Sequence, residues 1–166
     1  MAVREILLYP DPLLKQVSAE VVDFGEALQT VVKDLEDTLD DSPFCVGIAA
    51  PQIAYLSRVL LIDVSRSRKP VPNAGRLALI NPVITSSTGE ILGREGCLSL
   101  PHLTANVTRA QSIVLTYFDP DGNKKELSSS DFEARVILHE LDHLDGLLFL
   151  DRVSSLKTDI FRRKRY

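Results

Sequence analysis

His139-Glu140-Leu141-Asp142-His143 sets two imidazoles four residues apart. On a helix that spacing stacks them one turn apart on one face, where both can bind a single metal ion. Glu140 stands about 100° around the same helix, so its carboxylate can reach a water on that ion without being a ligand. The bland alternative is a helix whose His and Glu are only hydrogen-bonded or exposed, because five-residue patterns recur by chance. Burial weighs against that alternative. Val136, Ile137, Leu138, Leu141 and Leu144 point in several directions, which marks a helix enclosed on most sides, and ionisable groups there are costly unless paired or coordinated.

A catalytic tetrahedral site takes three protein ligands and keeps one position open, so two histidines leave one ligand to find. The chain offers Cys45, Cys97 and one further histidine, His102. Cys97, in Glu95-Gly96-Cys97-Leu98-Ser99, lies between a glycine and a turn-prone segment. A cysteine in such a place is more often a small buried hydrophobe than a ligand, and spacing alone does not choose. Two cysteines cannot build a stabilising disulfide framework.

The elements that must position these residues follow from periodicity. Ser130-Asp131-Phe132-Glu133 has capping-box spacing and Gly146 a natural stop, which brackets the His-bearing helix. Upstream, Leu28, Val31, Val32, Leu35 and Leu39 recur at helical spacing, with Asp23 as the expected cap and Glu26, Lys33, Asp34, Glu36 and Asp37 on the other face. Tyr9-Pro10-Asp11-Pro12 reads as a turn. Residues 59–62 and 77–84 are β-prone, separated by a polar loop over 65–76. Ser86-Ser87-Thr88-Gly89 reads as a hairpin turn into 90–94, and Asp119-Pro120-Asp121-Gly122-Asn123 as a turn joining strands at 113–118 and 124–127.

The 166 residues suit one domain, taken as 1–166, with 45% hydrophobic and 25% charged residues, the balance of a globular protein rather than a disordered one. No apolar run reaches the ~20 residues that a bilayer demands. The N-terminus lacks signal or transit character, so the cytoplasm is the expected location. The last six residues carry four of the 19 basic side chains, leaving 15 basic against 23 acidic elsewhere. Such a tail reads as a solvated helix end or as a transient electrostatic contact with RNA, the ribosome included.

Three stretches, Gly47-Ile48-Ala49-Ala50-Pro51-Gln52, Glu95-Gly96-Cys97-Leu98-Ser99 and His139-Glu140-Leu141-Asp142-His143, resemble the three motifs of the peptide deformylase family in order and spacing. The resemblance runs from Tyr9 to Asp151. It implies a hydrolase that removes the formyl group from the N-terminal formylmethionine of nascent polypeptides. It implies a metal on Cys97, His139 and His143, natively Fe2+ with Ni2+, Co2+ or Zn2+ able to replace it. Glu140 would be general acid/base, with Gln52 and the Leu98 N–H holding the oxyanion. Val46, Gly47, Glu95 and Val136 match positions lining the substrate, which lies extended beside Gly47. The implied fold is α+β, antiparallel sheets packed around a central metal-bearing helix, with a long N-terminal helix and a C-terminal helix. The chain is expected to be monomeric. Arg109 and Asp142 are expected to pair, either to orient a ligand or as a plain ion pair.

Cys45, Ala54, Thr108 and Leu138 depart from the common family pattern, and Cys45 is expected to be a buried packing residue rather than a redox partner of Cys97 or an alternate metal ligand. Two rivals stay open, a metalloprotease or other amidase using the same histidines and a non-catalytic binder of nascent chains. The Cys97 motif argues against the first, and retention of Glu140 and Gln52 against the second.

Overall fold

A computed structural model describes residues 2–164. Two α-helices, α1 (Glu26–Asp41) and α2 (Asp131–Leu144), accompany eight strands: β1 (Gly47–Ala49), β2 (Val59–Asp63), β3 (Arg76–Thr88), β4 (Ile91–Cys97), β5 (Leu100–Arg109), β6 (Ser112–Phe118), β7 (Lys124–Ser130) and β8 (Ile160–Arg162). All strand pairings are antiparallel, in a five-stranded sheet ordered β1-β2-β3-β6-β7 and a three-stranded sheet ordered β4-β5-β8. The α+β expectation is met.

The two faces of the larger sheet are covered by different helices. Val59 and Leu61 of β2 pack with Leu28, Val31, Val32, Leu35 and Leu39 of α1, while Leu60 and Ile62 pack with Ala134, Val136, Ile137 and Leu144 of α2. Every residue of β2 is buried, which is why its sequence is a continuous apolar run rather than an alternation. On its other side α2 meets the smaller sheet, donating from Arg135 to the carbonyls of Val107 (2.8 Å) and Ile91 (2.7 Å).

Several expectations need correction. The cap of α1 is Gly25, and Asp23 instead accepts the Gly25 N–H at 2.9 Å. Asp34 does not face solvent: its side chain is fully buried and accepts from Ala2 N, Arg4 Nε and Tyr55 Oη, so the N-terminal segment is strapped across α1. Ser130 caps α2 without a side-chain bond: its hydroxyl pairs with Ser112 Oγ at 3.0 Å, and the Glu133 carboxylate is taken by the Ala74 N–H and the Ser129 hydroxyl. The 86–89 segment is no hairpin: at Gly89, φ +71°, the chain leaves one sheet for the other. The turn at 119–123 does join β6 to β7.

The expected C-terminal helix is absent among the described residues. After α2 the chain makes a 3-10 turn at Phe149–Asp151 and ends as β8 on the edge of β5. Leu156, Ile160 and Phe161 are too few to form a helical stripe, whereas three residues of extended backbone pair readily with an open edge. The basic tail therefore begins as strand, through Arg162, and its described residues form no helix end; Arg165 and Tyr166 lie outside the described residues.

Candidate metal centre

Leu98 and Ser99 form the tight turn that pairs Cys97 with Leu100, and this turn points Cys97 at α2. The ligand atoms of Cys97, His139 and His143 lie within 4.8 Å of one another, with Cys97 Sγ 3.4 Å from His143 Nε2. The two rings are edge-on, centroids 5.2 Å apart. One sulfur and two imidazole nitrogens form a donor set suited to a divalent transition metal with a coordination position left open. His102 is exposed on β5 and takes no part.

An unpaired buried charge costs several kcal/mol, more than the ~2 kcal/mol that one buried apolar side chain contributes. The charged residues of α2 are accordingly paired, with one exception. Arg135 and Glu133 have the partners given above. Asp142 accepts from Arg109 Nη1 at 2.6 Å and from Arg152 Nε and Nη2 at 3.0 and 2.8 Å. Glu140 is only 5% exposed, yet its Oε2 has no hydrogen-bond partner. Burial pushes its carboxyl up to about 7, within reach of proton exchange near neutrality.

Glu95 orients the metal site from behind. Its carboxylate bonds His139 Nδ1 at 2.8 Å and also takes Arg109 Nε and Nη2, both at 2.9 Å, and Arg135 Nη1 at 2.8 Å. Burial opposes its charge, but the bonds from Arg109 and His139 prevail and hold it well below the usual carboxylate range. His139 is likewise disfavoured as a cation by burial, yet its contacts with Cys97 and Glu95 raise it well above its ordinary value. His143 is pushed well below, by burial and then by the neighbouring charges of His139 and Arg109. Arg109 thus bridges Glu95 and Asp142, which answers the expectation of an Arg109–Asp142 pair.

Gln52 sits in the 3-10 turn Ala50–Ile53. Its Oε1 accepts the Ala49 N–H at 3.0 Å, which turns Nε2 toward Ser99 Oγ (3.1 Å) and Cys97 Sγ (3.7 Å). The turn ends on Ala54 in left-handed geometry, φ +68°. Gly47 is needed because a Cβ there would lie 2.8 Å from Glu140 Oε1 and 2.9 Å from Val136 Cγ1. Val46, Gly47, Glu95, Leu98 and Val136 all line one cavity of ≈ 260 Å³ together with Cys97, His139 and Glu140.

Cys45 packs against the core on the α1 side, as expected, but is half-buried and not buried, because it also lines this cavity. Its thiol donates to the Gly47 carbonyl at 3.0 Å, and burial pushes it up to about 12. The left-handed φ in that loop falls on Phe44, at +62°. The sequence reading missed Arg135, Ser99 and Arg152. For Arg135 a signal existed, a guanidinium flanked by Ala134, Val136 and Ile137, with Gly93 opposite leaving room where a Cβ would stand 2.8 Å from Arg135 Cζ.

Comparison with known proteins agrees with this geometry. The family model described as polypeptide deformylase matches residues 3–159. A peptide deformylase of Thermodesulfovibrio yellowstonii is 38% identical over 99% of this chain and 97% of its own length. Peptide deformylase 2 of Vibrio vulnificus is 42% identical over 99% and 94%. The crystal structure of a peptide deformylase from Legionella pneumophila superposes with a TM-score of 0.85 at 38% identity, covering 94% of this chain and 89% of that one. The Thermotoga maritima enzyme gives 0.84 at 31%, covering 93% and 100%. A matching sequence profile, relatives alike from end to end and a shared fold lead to one conclusion: the chain belongs to the polypeptide deformylase family.

Proposed function

We propose that this chain carries out its family's hydrolysis, removal of the N-formyl group from the formylmethionine of new polypeptides, as one catalytic domain whose metal is held by Cys97, His139 and His143. The observation that carries the residue assignment is the convergence of those three ligand atoms within 4.8 Å. When bound there, a divalent cation, Fe2+ first among Ni2+, Co2+ and Zn2+, would supply Lewis acidity toward the formyl group and toward water.

The chain's own groups account for the remaining work. Glu140, with an unpartnered buried oxygen and a carboxyl held near 7, accepts the proton of the attacking water and returns it to the departing amine. The Gln52 amide, its orientation fixed by the Ala49 N–H, donates to the oxygen on which charge develops. The Leu98 N–H is the second donor to that oxygen. Glu95 holds the His139 ring in place through Nδ1, the role of an outer partner that fixes a ligand's tautomer. The substrate runs beside β1, an edge strand, pairing through backbone in a sequence-tolerant way, with Val46, Gly47 and Val136 on the wall beside its first side chain. No helix among the described residues is long and apolar enough to cross a membrane; the cytoplasm and a monomeric state complete the proposal.

The test is hydrolysis of a formyl-Met tripeptide beside its unformylated and N-acetyl counterparts, on protein prepared without oxygen and analysed for metal. Release of formate from the first peptide alone is the expected result. Cleavage of the unformylated peptide would instead identify a peptidase, and inertness of the fully metallated protein would sink the catalytic assignment.

A further inference from the structure

Arg94 and Gly96 share one face of β4, opposite the face that carries Glu95 and Cys97. Arg94 is held rigidly there: its guanidinium stacks over the Phe161 ring at 3.8 Å and bonds Asn106 Oδ1 (2.9 Å) and Thr104 Oγ1 (3.2 Å). Arg163 comes from the other end of the chain. The pairing of β8 with β5, continued by the Arg163 N–H to the His102 carbonyl at 2.8 Å, lays its side chain across Gly96. A Cβ on Gly96 would lie 3.0 Å from Arg163 Cζ and 3.7 Å from Nε, so glycine is what lets the guanidinium approach. Both arginines line the cavity that holds Cys97, His139 and Glu140.

The position of this pair relative to the reacting atoms suggests its use. β1 and β4 are edge strands of their sheets, and both line the cavity, so a bound peptide is extended between them. At about 3.3 Å per residue along a strand, Gly96 and Arg94 lie one and three residues from Cys97. With the formyl group at Cys97, the residues after methionine pass the two guanidiniums. The chain as a whole is acidic, with a formal net charge of -4, so this is a local cationic rim on a body that would otherwise repel anions.

Resting on the deformylase reading, we infer that Arg163, supported by Arg94, is a specificity-determining residue that recognises a carboxylate on the substrate just beyond methionine. That carboxylate is an acidic side chain at the second or third residue, or the free C-terminus of a short peptide. Guanidinium presents paired donors in the geometry a carboxylate accepts.

Two matched pairs of peptides separate the sources: formyl-Met-Ala-Glu-amide against formyl-Met-Ala-Gln-amide, and formyl-Met-Ala-Ser as acid against amide. The carboxylate member of at least one pair should show kcat/KM about five-fold higher, mostly through KM. The advantage should shrink toward one as salt approaches 1 M, where the screening length falls to about 3 Å. Arg163→Ala should bring the ratio near one, Arg163→Lys should keep part of it, and Arg163→Glu should invert it. A ratio at or below one in the unaltered protein overturns the inference. So does a ratio that Arg163→Ala leaves unchanged, or an equal rise for all four peptides, which would mark β8 as an obstruction. The salt series needs no variant, so a folding defect cannot hide the answer. Equilibrium binding of the products Met-Ala-Glu-amide and Met-Ala-Gln-amide reads the same preference without turnover, which separates a failure here from a failure of catalysis.

Discussion

Glu140→Gln keeps the size of the side chain and removes its capacity to accept a proton. Metal content should therefore survive while formyl-peptide hydrolysis falls by ~10² or more. Cys97→Ala, His139→Ala and His143→Ala should lose both, since each removes one of three donors; full metal occupancy in any of them would strike that residue from the set. These residues were legible because type and spacing alone carry their chemistry. Arg135 was less so, since a guanidinium within a helix reads by type as solvent-facing, and its apolar flanks hint at burial without naming the partners it finds on another sheet. Arg135→Met would leave the carbonyls of Ile91 and Val107 without their donor, at a cost of about 2–4 kcal/mol. Urea unfolding should show the loss as a lower midpoint with an unchanged slope.

At the level of elements, the 3-10 turn that carries Gln52 closes on an alanine where left-handed geometry favours glycine. Ala54, φ +68°, is exposed, so nothing packs against its methyl that a glycine would forfeit. Ala54→Gly should stabilise the fold by about 0.5–1 kcal/mol, the relief of strain being partly offset by a freer unfolded chain; a fall in Tm would contradict this. Both helices and the β6–β7 hairpin were readable, because apolar spacing and a Pro-Asp-Gly turn are local signals. The division into two sheets was not. Gly89 has the composition of a hairpin turn, and whether the next strand folds back or departs depends on what else can pair with it. β5 escaped notice because Pro101 and His102 give its start the look of a loop, while β8 is too short to carry a pattern.

For the whole molecule, acid should act through carboxylates that the fold keeps ionised. Burial raises the pKa of Asp34, but the hydrogen bonds from Arg4, Tyr55 and the Ala2 N–H prevail, and the net shift is downward. A depressed folded value means stability that is complete above the unfolded pKa of about 4 and is lost as pH falls through the folded one. The urea midpoint should therefore decline below about pH 4, and Asp34→Asn should flatten that decline while lowering the midpoint at neutral pH. An acid limb identical in the variant would remove Asp34 from the account.

The strand wrapped on both faces carries a further consequence, one of folding fidelity. Because Val59 and Leu61 meet one helix and Leu60 and Ile62 the other, a slip of β2 by a single residue would exchange one greasy set for another of nearly equal worth, so oiliness cannot hold the strand in phase. That task falls to its end, where Asp63 is bound by Arg76 and Ser65, and to the pairing of Ile62 with Gly47. A misthreaded β2 would shift the glycine pressed against Glu140, and with it the wall of the cleft. One charged residue at the mouth of a buried strand thus keeps time for the catalytic wall, whose Val46 carbonyl its own N–H holds at 2.8 Å.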